Sequence, residues 1–193
     1  MLLNDKRIIE LAAEGLITPF EPSLVRNVES NKVISYGLSS YGYDIRLASE
    51  DFRIFRHIPG EVVDPKNFND RHLESCTLHE DSTGMYFILP GLSYALGFSY
   101  ERFKLPGNVT ALCQGKSTLA RCGIQAAVTP AEAGWEGFLT LEFSNSMSAD
   151  CKIYAMEGVC QLLFFEGEPC LTTYAQRSGK YQNQKREVTL PKV

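Results

Sequence analysis

The sequence has no long apolar run. Nothing in it approaches the roughly 20 residues that a membrane-spanning helix requires, and its start, Met1-Leu2-Leu3-Asn4-Asp5-Lys6, lacks the basic opening and apolar stretch of a secretory signal. A cytoplasmic protein without membrane contact is expected. Histidine is scarce: His57, His72 and His79 are the only three, and none is paired at metal-ligand spacing. The six cysteines include no Cys-x-x-Cys pair, and most sit in apolar runs. These shortages argue against a zinc centre and a disulfide scaffold, and reduced cysteines packed as small hydrophobes are expected. Positive charge is not in excess either. A net charge of −4 argues against general affinity for nucleic acid.

What is present suits one globular domain spanning residues 1–193. Surface scaling for 21.6 kDa gives a folded area of ~9,000 Å² against ~31,000 Å² extended, which leaves enough burial for a core. Nine prolines spaced from Pro19 to Pro191 disfavour long helices. The best helix lies near the start, with Asn4 as cap, Ile8, Leu11 and Ala12 on one face, and Gly15 as the stop. Elsewhere the period is two. Tyr43, Ile45 and Leu47 alternate with Asp44 and Arg46, and the runs 85–89, 94–100, 109–113 and 161–165 are short, β-branched or aromatic, and bounded by turn residues. The class is mainly β, a sandwich or distorted barrel. Charge is uneven: from Tyr174 onward Arg177, Lys180, Lys185, Arg186 and Lys192 face Glu187 alone, which leaves −8 on residues 1–173. A basic tail on an acidic body fits either a cover for a small polyanion or a solvated terminus.

Two stretches carry chemistry. In 137–145, alternation sets Leu139, Leu141 and Phe143 on one face and Phe138, Thr140 and Glu142 on the other, so a carboxylate stands mid-strand on a wet face or in a pocket. The run Gly115-Lys116-Ser117-Thr118-Leu119-Ala120-Arg121-Cys122-Gly123 reads as a short helix entered from a strand, with Ser117 able to cap. Its first-turn amides, Lys116 and Arg121 would offer donors to phosphate oxygens. Gly-Lys-Ser-Thr is not a P-loop, because the glycine required five residues earlier is Thr110. His72-Leu73-Glu74 and Pro169-Cys170-Leu171-Thr172-Thr173 partly match the zinc deaminase signature, but Thr173 replaces its last cysteine. No G-x-S-x-G is present.

Taken together, residues 116–123, Val128-Thr129-Pro130, Gly134-Trp135-Glu136-Gly137 and Thr140-Leu141-Glu142-Phe143-Ser144-Asn145 closely resemble the deoxycytidine triphosphate (dCTP) deaminases of bacterial pyrimidine metabolism. The likeness continues through 39–47 and 161–167 and closes on Gly179-Lys180-Tyr181-Gln182-Asn183-Gln184, which is nearly the whole chain.

The resemblance implies a distorted β-barrel of the deoxyuridine triphosphatase superfamily, with a short N-terminal helix and a second near 117–122. It also implies a homotrimer with active sites between subunits, and zinc-free hydrolysis of dCTP to dUTP and ammonia, a step of pyrimidine deoxynucleotide biosynthesis. Its motif maps the proton-carrying glutamate onto Glu142, with Ser117 and Arg121 as catalytic partners. Nucleotide contacts map onto Lys116, Ser117, Thr118, Leu119, Ala120 and Arg121, onto Thr140 and Leu141, and onto Gln161, Tyr174, Lys180 and Gln184, with 174–184 as a lid. Magnesium is expected to arrive on the triphosphate, since no carboxylate cluster suggests a dedicated site. Compared with one form of the family, the loop from Val128 to Trp135 is two residues shorter, and it carries Glu132 where the triphosphatases place the aspartate that activates water. Glu132 therefore keeps open a bifunctional enzyme that releases dUMP and diphosphate, although one extra methylene would move the carboxylate by more than about an ångström, enough to spoil in-line attack. A nucleotide-binding module without turnover is the alternative from another class.

Overall fold

The computed structural model describes residues 1–193. It contains helix α1 (Asp5–Ala13) and strands β1 (Ile17–Thr18), β2 (Leu24–Val28), β3 (Asn31–Ser39), β4 (Gly42–Arg46), β5 (Arg53–Phe55), β6 (Leu73–Ser75), β7 (His79–Asp81), β8 (Gly84–Leu89), β9 (Tyr94–Lys104) and β10 (Val109–Gly115). Helix α2 (Ser117–Ala120) follows, then β11 (Ile124–Ala127), β12 (Glu136–Asn145), β13 (Cys151–Tyr154) and β14 (Gly158–Glu166).

The strands form three open sheets around a shared core. One runs β11-β12-β9-β5-β6 with β1 added to β9, the second runs β10-β14-β4-β3-β2, and the third runs β13-β8-β7. The paired strands are antiparallel throughout, so no sheet needs a helical crossover, which accounts for the low helix content. Phe52 stacks on Phe87 at 4.7 Å and leans on Phe143 at 5.5 Å, joining the first and third sheets; Tyr43, Ile45, Leu162 and Phe164 bring the second sheet into the same core. Neither helix is long enough to cross a membrane.

The N-terminal helix forms as its pattern requires. Asn4 Oδ1 accepts from Arg7 N at 3.1 Å, and Ile8 and Leu11 are buried. Helix α2 differs in one respect: Lys116 holds the cap position without a side-chain hydrogen bond, and Ser117 is the first helical residue. The cysteines also depart from expectation. All six are free, but only Cys160 is buried, while Cys122 and Cys170 are exposed. Both lie in turn or irregular segments outside the sheets.

β4 departs from simple alternation as well. Its first four residues, Asp44 among them, are buried, and only 13% of the Arg46 side chain is exposed. The second sheet is covered on both faces there. Arg46 instead donates through its backbone N (2.9 Å) and Nε (2.7 Å) to Glu101, a fully buried carboxylate on β9, and its guanidinium lies near the rings of Tyr36 and Tyr100 at 4.6 and 4.4 Å. Burial pushes the Glu101 carboxyl upward, and Arg46 acts against that shift.

Candidate active site

Strand β12 alternates strictly between half-buried and buried positions, which turns Leu139, Leu141 and Phe143 into the core and Thr140 and Glu142 toward the other face. Glu142 faces Leu96 across β9 and Ala127 across β11. The register slips between Phe138 and Thr140, and the amide of Leu139 donates at 2.9 Å to the buried hydroxyl of Ser99 instead of to the ladder. A bulge beside two cleft residues is a common means of re-aiming side chains toward a ligand.

Above this face lies a cleft of about 570 Å³. Its floor is Leu96, Leu139, Thr140 and Glu142, and one wall is the turn from Val128 to Glu132 with Trp135. The other wall is the C-terminal segment, contributing Tyr174, Lys180, Tyr181, Gln184, Thr189 and Pro191. Glu142 makes no ion pair, and burial alone raises its carboxyl above the usual glutamate value of 4.5. The same burial, together with the Glu142 charge, raises the phenol of Tyr94 two residues before Leu96. A carboxyl with a raised proton affinity, set in a cleft and unpaired, is suited to taking up and returning a proton.

The basic tail is packed against the sheet. Trp135 Nε1 donates to Tyr181 O at 2.8 Å, Tyr181 N donates to Tyr174 Oη at 3.1 Å, and Phe138 N donates to Gln184 O at 3.1 Å. Gly137 explains the close approach at Gln184. Its φ is +146°, and a Cβ there would stand 2.6 Å from Gln184 N. Trp135 therefore both fills the core and fixes the tail.

The site residues expected from sequence fall into two groups. Thr140, Glu142, Tyr174, Lys180 and Gln184 meet in the cleft, and Glu132 joins them there. Leu141 is fully buried in the core and does not line the cleft. None of residues 116–121 lines this cleft. Ser117, Thr118, Ala120 and Arg121 are exposed on α2, Leu119 is buried, and Arg121 Nη1 donates at 3.1 Å to Ser117 O. Thr118 borders a second cleft of about 760 Å³ with Arg26, Lys32, Ser35, Tyr154 and Glu157. Lys116 and Gln161 converge on Asp44: Lys116 Nζ pairs with Oδ2 and reaches Ser35 Oγ at 3.1 Å, while Gln161 Nε2 donates at 3.0 Å to Oδ1.

Asp44, Tyr181, Thr189 and Pro191 were not singled out as site residues in the sequence. Asp44 sits at a position that alternation assigns to solvent, so only the burial of both sheet faces reveals it. Among the His, Cys, Asp and Glu side chains, no group of three or more converges to hold a metal ion.

Known proteins match this chain over nearly its whole length. The profile of the dCTP deaminase-like family matches residues 2–167. Proteins named dCTP deaminase from Acidithiobacillus ferrooxidans and Laribacter hongkongensis are 52% and 53% identical to this chain, each alignment covering 98% of it and 98% and 97% of the relative, respectively. The crystal structure of 2'-deoxycytidine 5'-triphosphate deaminase from Agrobacterium tumefaciens aligns over 89% of this chain with a TM-score of 0.57. At 17% identity that likeness concerns the fold, and this chain spans 49% of that protein's length. Full-length identity above one half and the family profile together place the chain plainly: it belongs to the dCTP deaminase-like family.

Proposed function

We propose that the protein hydrolyses dCTP to dUTP and ammonia, with Glu142 carrying the protons. The observation that carries this reading is an unpaired, burial-raised carboxyl in the floor of the cleft, on a chain more than half identical to proteins of that name. Deamination requires water to add at C4 of cytosine, a proton to reach N3, and a further proton to reach the departing amino group. Glu142 takes the proton from the attacking water and delivers it to N3. It then moves a proton from the C4 hydroxyl to the amino nitrogen, so that ammonia leaves and the C4 carbonyl of uracil forms. No zinc is assigned to this chemistry. Ser117 and Arg121 position the water and meet the charge that develops at C4. Leu141 stands beside the catalytic residue in the nucleotide-binding set, and Lys116, Thr118, Leu119 and Ala120 join Ser117 and Arg121 around the nucleotide. Gln161, Thr140, Tyr174, Lys180 and Gln184 complete the binding set, and magnesium arrives with the triphosphate.

Because Ser117 and Arg121 stand outside the Glu142 cleft of the same chain, the reading includes a homotrimer in which a neighbouring copy brings its α2 to that cleft. A cytoplasmic location belongs to it too, since the exposed free thiols of Cys122 and Cys170 suit a reducing compartment. A second reading, that dUTP is cleaved further to dUMP and diphosphate, is favoured by Glu132, whose carboxylate lines the same cleft without an ion pair.

The test is incubation of purified protein with dCTP and magnesium, followed by phosphorus NMR and an ammonia assay. Ammonia with an intact triphosphate is expected. Diphosphate alongside ammonia would establish the second reading, and absence of ammonia would overturn the proposal in favour of a binding module.

A further inference from the structure

The lid expected from sequence ends at Gln184, yet the segment that follows is bound to the sheet as firmly as the lid itself. Arg186 donates from Nε (2.9 Å) and Nη2 (2.5 Å) to a single oxygen of Glu50, and its guanidinium lies 5.2 Å from the ring of Tyr100 and 5.8 Å from that of Phe138. Two residues on, Val188 N donates at 3.0 Å to Asp51, a carboxylate already held by Arg53 at 2.8 Å through both oxygens. The Val188 side chain is buried in a small apolar cluster with Ala48, Leu96 and Phe98. Thr189 N then donates at 3.1 Å to Thr140 Oγ1 inside the cleft.

These contacts share a geometry. Leu96, on which Val188 packs, is the cross-strand partner of Glu142, and Thr189 and Pro191 complete the cleft wall that Lys180 and Gln184 begin. We infer that Glu50 and Arg186 form a latch, with Val188 as its apolar plug, that holds the C-terminal strap over the Glu142 cleft, and that both are positioning residues for nucleotide binding. Neither touches the reacting atoms. The latch acts through population: the cleft is complete only while the strap is docked, so weakening the dock lowers the fraction of chains able to bind and raises the apparent KM by the same factor. A partly exposed ion pair alone does little, but the same guanidinium also stacks against two aromatic rings, which adds to its hold.

The inference rests on the deaminase reading of the cleft, and the experiment separates the two. Glu50→Gln, Arg186→Gln and the double variant are prepared in the full chain, and amide exchange at Val188 and Thr189 is measured together with KM and kcat for dCTP. Faster exchange is expected in each single variant, with KM raised about two- to fivefold in Glu50→Gln, which loses only the ion pair, about five- to tenfold in Arg186→Gln, which loses the ring contacts as well, and kcat within about twofold of the parent in both. The double variant should be no worse than the weaker single, and Arg186→Lys, which keeps a cation on the rings, should recover part of the loss. Unchanged protection at Val188 and Thr189 would overturn the latch, as would full additivity of the two single effects. Lost protection with an unmoved KM would overturn its role in binding. A parent protein without ammonia release would refute the deaminase reading, leaving the exchange data to decide the latch.

Discussion

Glu142 owes both its chemistry and its cost to the same burial. A carboxyl raised by desolvation binds its proton more tightly folded than unfolded, so between the ordinary value of 4.5 and its raised folded value the native state holds more protons. Stability therefore falls as pH rises through that window, and above it the charged carboxylate is a constant burden on the fold. Glu142→Gln removes the burden and the proton carrier together. Turnover should fall about 10²- to 10⁴-fold, while the melting temperature at pH 7 should rise above that of the parent, with the difference vanishing as pH falls below 4.5. Calorimetry across pH, run beside the ammonia assay, checks both; a variant melting below the parent at pH 7 would contradict the assigned direction. Asp44 shows the opposite arrangement at the same scale: a buried carboxylate whose two oxygens are taken by Lys116 and Gln161. Glu142 was legible as a mid-strand anomaly because one carboxylate interrupted an otherwise apolar pattern. Asp44 was not, because Asp44 and Arg46 alternate with apolar residues as they would on a one-sided strand, and only the cover from Lys116 and Glu101 turns them inward.

Among the elements, those with strong local signals were recovered from sequence. The Asn4-capped helix and the strands around 43–47, 85–89, 94–100, 109–113 and 161–165 stand where apolar periodicity placed them. The strands β1, β2, β3, β5, β6, β7, β11 and β13 were missed: all but β3 have five residues or fewer, too little pattern to distinguish them from loops, and β3, though nine residues long, does not alternate between buried and exposed positions. The strap was half legible: its basic charge marked it, but its docking depends on backbone donors and on small residues that composition does not reveal. Gly179 is the clearest of these. A Cβ there would collide with the ring of Tyr174, whose Oη accepts from Tyr181 N. Gly179→Ala should displace 179–184 from the cleft and raise KM for dCTP about tenfold or more, while the melting temperature changes by less than about 2 °C, because none of residues 179–184 belongs to the main core and only Tyr174 of the strap packs against it. Steady-state kinetics and a thermal melt on one preparation check this; a collapsed melting temperature with unaltered KM would mean that the strap supports the core rather than the site.

For the whole molecule, one chain divides the proposed functional groups between the cleft and a separate exposed segment. The cleft holds Thr140, Glu142, Lys180 and Gln184, and α2 presents Ser117 and Arg121 to solvent. Residue patterns alone did not reveal this division, because a sequence places motifs in order along the chain and not on particular sides of it; the expectation of a trimer came from resemblance. Complementation tests it directly. If each site joins Glu142 of one copy to α2 of another, then Glu142→Gln and Arg121→Ala proteins, each inactive alone, should regain activity when unfolded together and refolded as a mixture. Random assembly into trimers with each site shared by two neighbouring copies makes about one quarter of all sites intact at equal mixing, so recovery should approach about 25% of the parent rate. Sites contained within single chains would give none at any mixing ratio, since every chain would carry one of the two lesions.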